Sequence, residues 1–153
     1  MPPFQVTYDE GIKVGYKWYD AENKPVLFPF GYGLSYTTYR YSGLTVTPPV
    51  SPSDKAKVAF SLTNAGARAG AEIAEVYAAL PTSAEEPPKR LIGWSKVQLK
   101  AGEKKMVEIE IDPKYLSVFD EAKDGWTLLP GDYTIMVGGS SQSLPLKATV
   151  ELK

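Results

Sequence analysis

From about residue 44 onward, apolar and polar positions alternate in short runs separated by turn residues. Val58, Phe60 and Leu62 alternate with Lys57, Ala59 and Ser61, and Val107, Ile109 and Ile111 alternate with Glu108 and Glu110. Tyr133, Ile135 and Val137 form a third run; Leu146, Ala148, Val150 and Leu152 form a fourth. Successive side chains of a strand point to opposite faces, so a period of two predicts strands with one face buried and the other in water. Asn64-Ala65-Gly66, Ala101-Gly102-Glu103, Asp124-Gly125 and Pro130-Gly131-Asp132 punctuate the runs. Glycine, proline and short polar side chains favour turns at such places. Several short strands spaced in this way predict an all-β chain folded as a two-sheet antiparallel sandwich.

Local signals add detail. In Leu129-Pro130-Gly131-Asp132-Tyr133 a tyrosine follows a turn and begins a strand; it is expected to hydrogen-bond back to nearby backbone as a tyrosine corner. Asp112 followed by Pro113 predicts a capped single helical turn joining the sheets, because proline suits the first helical position. In Ala71 to Leu80 the large apolar residues are Ile73, Val76, Tyr77 and Leu80. That spacing alone describes an amphipathic helix. Context favours a strand, expected as a partner for the Val58–Leu62 run.

The segment before residue 44 follows neither period for long. Phe28-Pro29-Phe30-Gly31-Tyr32-Gly33-Leu34 cannot be a regular helix, since Pro29 and two glycines interrupt it. It reads as an extended linker whose aromatics press on something, with Pro48, Pro49 and Pro52 marking the start of the sandwich. Of the 18 aromatic residues, 11 lie in the first 43 positions and 7 in the remaining 110. This imbalance separates the two parts of the chain more sharply than any other compositional feature.

The rest of the composition mainly excludes. The chain has 153 residues, enough for one domain of the common ~100–150-residue size and little more. It contains no cysteine and no histidine, so disulfides, thiolate nucleophiles, imidazole triads and the usual zinc sites are ruled out. A net charge of −1 argues against a phosphate-binding surface, so nucleic acid is not expected as a partner. No apolar run approaches the ~20 residues of a membrane span, and no signal peptide is recognisable. Met1-Pro2-Pro3 is read as an introduced start. No metal or other cofactor is expected.

At this point a family resemblance enters. Glu10-Gly11-Ile12-Lys13-Val14-Gly15-Tyr16-Lys17-Trp18-Tyr19-Asp20, followed by Phe28 through Thr37 (FPFGYGLSYT), resembles the C-terminal part of glycoside hydrolase family 3, the family of β-glucosidases and β-xylosidases. The similarity continues through Thr63-Asn64-Ala65-Gly66, Pro88-Lys89-Arg90-Leu91, Gly93-Trp94, Gly131-Asp132-Tyr133 and Val137-Gly138-Gly139-Ser140-Ser141. Lys17 stands where arginine is usual in the family, Tyr32 where histidine is common, and Ala101 where proline is usual. The resemblance implies an immunoglobulin-like, fibronectin type III-like sandwich at 44–153. It also implies that residues 1–43 combine the end of a preceding α/β domain, its last strand running to about Asp20, with a linker from about 21 to 43.

The resemblance also implies what chemistry to look for. Relatives hydrolyse β-glycosides with retention, which needs two carboxyl groups ~5–5.5 Å apart across the sugar. Their nucleophilic aspartate belongs to a barrel and their acid–base glutamate usually to the α/β domain. Neither motif is present, so this chain is expected to have no catalytic residue and to be non-catalytic alone. Glu10 is assigned to the domain junction and Asp120, Glu121 and Asp124 to a solvated turn. Glu72, Glu75, Glu108 and Glu110 are expected to be wet. The substrate-binding candidates, in an intact enzyme, are Tyr32, Trp18 and Tyr19; Tyr16, Phe28, Phe30 and Tyr36 are expected at a domain interface. Trp94 and Trp126 are expected in the core or at a sheet end.

Three roles follow from these residues: an accessory domain bracing the α/β domain and the active-site approach, an autonomous polysaccharide- or lignocellulose-binding module, or the C-terminal piece of a nicked, assembled glycosidase. The expected partners are the N-terminal catalytic domains, with polysaccharide as an alternative. The aromatic surface of residues 4–41 predicts either disorder there or self-association through it. The resemblance favours a secreted or periplasmic setting.

Overall fold

The computed structural model describes residue 4, residues 6–49, residue 51 and residues 53–153. Met1-Pro2-Pro3 and Pro52, singled out above, lie outside the described residues. Among the described residues the main elements are a short helix α1 (Tyr16–Ala21) and nine strands: β1 (Tyr39–Thr47), β2 (Ala56–Asn64), β3 (Gly70–Ala79), β4 (Arg90–Leu99), β5 (Lys104–Ile111), β6 (Val118–Asp120), β7 (Gly125–Thr127), β8 (Gly131–Gly138) and β9 (Leu146–Leu152). One sheet has the order β1-β2-β5, the other β4-β3-β8-β9, and β6-β7 is a separate hairpin. All pairings are antiparallel. The predicted all-β sandwich is therefore the observed fold.

The four alternating runs become β2, β5, β8 and β9 with the expected faces inward. Val58, Phe60, Leu62, Val107, Ile109, Ile111, Tyr133, Ile135 and Val137 are buried in one core cluster shared by both sheets. The tyrosine corner is present: Tyr133 is fully buried and its hydroxyl donates to the Leu129 carbonyl at 2.9 Å. The capped turn is present as a 3₁₀ turn at Pro113–Leu116, where the Asp112 carboxylate accepts from the Lys114 N–H.

Other expectations need correction. A boundary at 43/44 would cut through β1, which begins at Tyr39. Between Ser42 and Thr45 the register against β2 shifts, with Gly43 at φ +66°. This bulge flips the inward parity from Tyr39 and Tyr41 to Leu44 and Val46, all four of which pack on the core. A regular alternation is therefore absent although the strand is continuous. The same effect hides β4, where a bulge lets Ile92 and Gly93 both face inward. A Cβ on Gly93 would lie 2.6 Å from Ile111 Cδ1 and 3.0 Å from Ile109 Cγ2, so the bulge needs glycine.

The strand expected to run to Asp20 is a helix instead: Tyr16–Ala21 is helical, entered through Gly15 at φ +55°. The Ala71–Leu80 segment is a strand, as context favoured, but its partners are β4 and β8, while β2 lies between β1 and β5. Ala74 to Ala78 are buried on both faces. That double burial places Val76 inward and Tyr77 outward in equally apolar surroundings, imitating helical spacing on an extended chain.

Candidate functional site

Something must cover the outward face of β3, where Glu75 and Tyr77 alternate with the core residues Ala74, Val76 and Ala78. The cover is the aromatic N-terminal segment, which folds back as a strap over the four-stranded sheet. From α1, the Tyr16 ring meets Tyr77 edge-on at 5.8 Å and lies 5.2 Å from Phe30. Beside the β4 bulge, the Leu91 N–H donates to the Tyr16 hydroxyl at 2.7 Å. Burial raises the pKa of that hydroxyl, partly offset by the Leu91 hydrogen bond. Asp20, on the same short helix, pairs with Lys89 at 2.6 Å with both side chains largely buried.

The second half of the strap is held by backbone contacts. Ser141 N–H donates to the Phe30 carbonyl at 2.8 Å. Gly31, at φ +84°, passes directly over Glu75; a Cβ there would overlap the carboxylate, so both conformation and space require glycine. Beyond it, the Thr37 hydroxyl donates to Asn64 Oδ1. Asn64 is fully buried. Its amide also donates to the carbonyls of Arg68 and Leu99, and its Oδ1 accepts the Gly66 N–H. One side chain thus joins the strap, the β2–β3 turn and the opposite sheet.

The carboxylates expected to be wet divide into two groups. Glu110 and Glu108 are exposed on β5 and face Lys55 and Lys57 across the surface. Glu75 is only 5% exposed, its carboxylate accepting from the Tyr77 hydroxyl at 2.7 Å. Glu72 is half-buried and accepts from the Tyr41 hydroxyl at 2.7 Å. Burial raises both carboxyl pKa values against the lowering effect of the tyrosine hydrogen bonds, and the Glu72 charge raises Glu75 further. Both tyrosine hydroxyls are pushed far above their ordinary range by burial first and the neighbouring glutamate second. The expectation failed because the cover comes from residues distant in sequence. Three residues apart on one strand, Glu72 and Glu75 project to opposite faces. They cannot flank one sugar as a hydrolytic pair.

The strap's other side is open. Phe28 and Tyr32 stack at 5.3 Å, with Phe28 71% exposed, and Leu34 and Tyr36 are 92% and 90% exposed. Tyr16, Tyr19, Phe28, Phe30 and Asp20 surround a hollow of about 260 Å³ with Ser141 and Gln142. The structure thus brings Tyr19 together with three of the four interface candidates and leaves Tyr32, Trp18 and Tyr36 outside the hollow. Trp18 packs edge-on against Tyr19 at 5.0 Å and carries Lys24 Nζ 4.5 Å from its ring centre. Residues 16–33 draw contacts from their own sandwich through Tyr16, Asp20 and the Phe30 carbonyl. Trp94 is 63% exposed rather than packed in the core, because it points outward from β4 beside the strap. Trp126 is also exposed, on the β6–β7 hairpin against Phe119. Asp120 is in the turn region of that hairpin, where Lys123 and backbone amides hold its carboxyl below the usual range.

Residues 72–141, from within β3 to just past β8, match the fibronectin type III-like domain. The sandwich is a fibronectin type III-like domain. With its strap, this fibronectin type III-like domain is similar to parts of β-glucosidases. It is 40% identical to probable β-glucosidase K of Emericella nidulans, over 97% of this chain and 17% of that protein. Among solved structures, the family 3 β-glucosidase of Bifidobacterium adolescentis superposes with a TM-score of 0.86 at 36% identity, covering 94% of this chain and 21% of that one. The β-D-glucoside glucohydrolase of Trichoderma reesei gives 0.89 at 31% identity, covering 99% and 24%. These relatives bear out the resemblance to the C-terminal part of family 3. The chain spans less than a quarter of each of them.

Proposed function

We propose that this fibronectin type III-like domain is a non-catalytic accessory domain of a retaining family 3 β-glycosidase, bracing the α/β domain and the approach to the active site. The observation that carries this reading is the two-sidedness of the strap. One side is anchored by Tyr16, Asp20, Phe30 and Gly31, while the other presents Phe28, Tyr32, Leu34 and Tyr36 to solvent. Contiguous exposed aromatics held on a fixed backbone suit a protein interface. The segment before β1 would then be the junction and the sandwich from Tyr39 onward the brace. In the intact enzyme Tyr32, Trp18 and Tyr19 would lie toward the aglycone side of the substrate.

The test uses a family 3 β-glucosidase truncated just before its own strap. Mixed with it, this chain is expected to co-elute on gel filtration and to raise its thermal midpoint. A Phe28→Ser/Tyr32→Ser/Tyr36→Ser variant should bind at least tenfold more weakly, about 1.4 kcal/mol. The chain alone should not turn over an aryl β-glucoside. Failure to bind, while the enzyme's own excised domain rebinds, would overturn the reading.

A further inference from the structure

The strap closes over a carboxyl group that no cation among the described residues neutralises. Glu75 is 5% exposed, lies beneath Gly31, and takes its side-chain hydrogen bond from Tyr77. Among the described residues, no lysine or arginine forms an ion pair with it. We propose that the strap is a proton-operated latch, held shut over β3 when Glu75 is uncharged and loosened when Glu75 is ionised.

The surroundings of Glu75 favour the neutral form from each side. On β3 itself stand Glu72, whose charge repels that of Glu75, and Tyr77, whose hydroxyl donates to it. From the strap, α1 contributes Tyr16 and Asp20, and Asp20 is already matched by Lys89. From β1 comes Tyr41, committed to Glu72. On β4 the residue opposite Glu75 is Trp94; Arg90 turns away to the Ser117 carbonyl and Glu86, and Lys96 is exposed beyond Trp94. On β8 the opposite residue is Gly138, and Asp132 is exposed at the strand's far end. A buried carboxylate with one neutral donor and no cation is costly, whereas the protonated acid is not.

The sign follows from linkage. Opening the strap returns Glu75 to water and lowers its raised pKa toward the ordinary glutamate value. The closed state therefore binds the proton more tightly. Closure is fully favoured below the open-state pKa and is lost as pH rises through the closed-state one. Within that window one proton changes the closing equilibrium by at most about tenfold per pH unit. The latch is a property of this chain alone and stands whether or not the bracing reading does. Its consequence for any partner is that the face carrying Phe28 and Tyr32 is firmest in mild acid.

Amide hydrogen exchange, corrected for intrinsic rates, tests this from about pH 5 to about pH 8. Peptides covering residues 16–33 are expected to lose protection as pH rises, by several-fold or more across the range, while β2 and β5 do not change. Glu75→Gln should hold the strap shut with no such pH dependence. Gly31→Ala should open it at every pH. A carbon-13 titration of the Glu75 carboxyl in the unmodified chain provides a readout independent of variant folding, and it should fall above the ordinary glutamate range. Exchange in the strap that is flat with pH, an unaltered pH dependence in Glu75→Gln, or an ordinary Glu75 titration would each overturn the proposal.

Discussion

Asn64→Ala should be among the most damaging single changes in the chain, although it removes only a small polar side chain. Asn64 is fully buried with every amide hydrogen-bonding direction used: Oδ1 accepts from Thr37 and Gly66, and Nδ2 donates to Arg68 at 2.7 Å and Leu99 at 3.3 Å. Alanine removes all four bonds. Gly66 and Arg68 lie at a surface turn where water can replace the lost partner, so those bonds cost about 1 kcal/mol each. The Thr37 bond is of similar worth. The Leu99 carbonyl is in a buried residue and loses its side-chain donor, which adds about 1–3 kcal/mol. The sum is about 4–6 kcal/mol, a large share of the ~5–15 kcal/mol that stabilises a domain. At roughly 3–5 °C per kcal/mol for a domain of this size, the midpoint should fall by about 12–30 °C. Thermal unfolding followed by near-ultraviolet circular dichroism measures this. Asn64→Asp, which turns both donors into acceptors facing carbonyls, should be no milder at neutral pH. A fall of only about 3 °C for Asn64→Ala would refute the claim that this side chain ties strap, turn and opposite sheet together.

Tyr133→Phe removes the corner bond to the Leu129 carbonyl and leaves the ring in place; it should cost about 1–2 kcal/mol, seen as a lower urea midpoint with an unchanged slope. Lys89→Met leaves Asp20 without its cation in a largely buried position, so α1 should detach: trypsin cleavage after Lys17 should rise at least tenfold, about 1.4 kcal/mol, while the sandwich midpoint hardly moves. Global unfolding in that variant would show instead that the strap and the sandwich are one cooperative unit.

Much of the sandwich could be read from order along the chain. Strands β2, β5, β8 and β9 have one face in the core, so a period of two appears directly in Val58–Leu62, Val107–Ile111, Tyr133–Val137 and Leu146–Leu152. The Asp112 cap and the Tyr133 corner are likewise local, each made within a few residues. Strands β1 and β4 escaped because single-residue bulges at Gly43 and beside Gly93 reverse the parity of otherwise ordinary strands. The candidate site was legible only in its residue types. Aromatic excess identified residues 4–41 as a surface that needs a partner, but not that the Tyr16 ring packs on Tyr77 while Phe28 and Tyr36 face solvent.

Sequence by itself determined the all-β class, the turns, the core faces of the regular strands and the family, because each rests on local periodicity or on contiguous motifs. Tertiary structure decided which sheet β3 joins and that its outer face is covered. It thereby decided that Glu75, indistinguishable in sequence from the wet glutamates of β5, is buried beneath Gly31. Burial is a property of what another part of the chain brings to a face, and no alternation within β3 encodes the arrival of Gly31 above it.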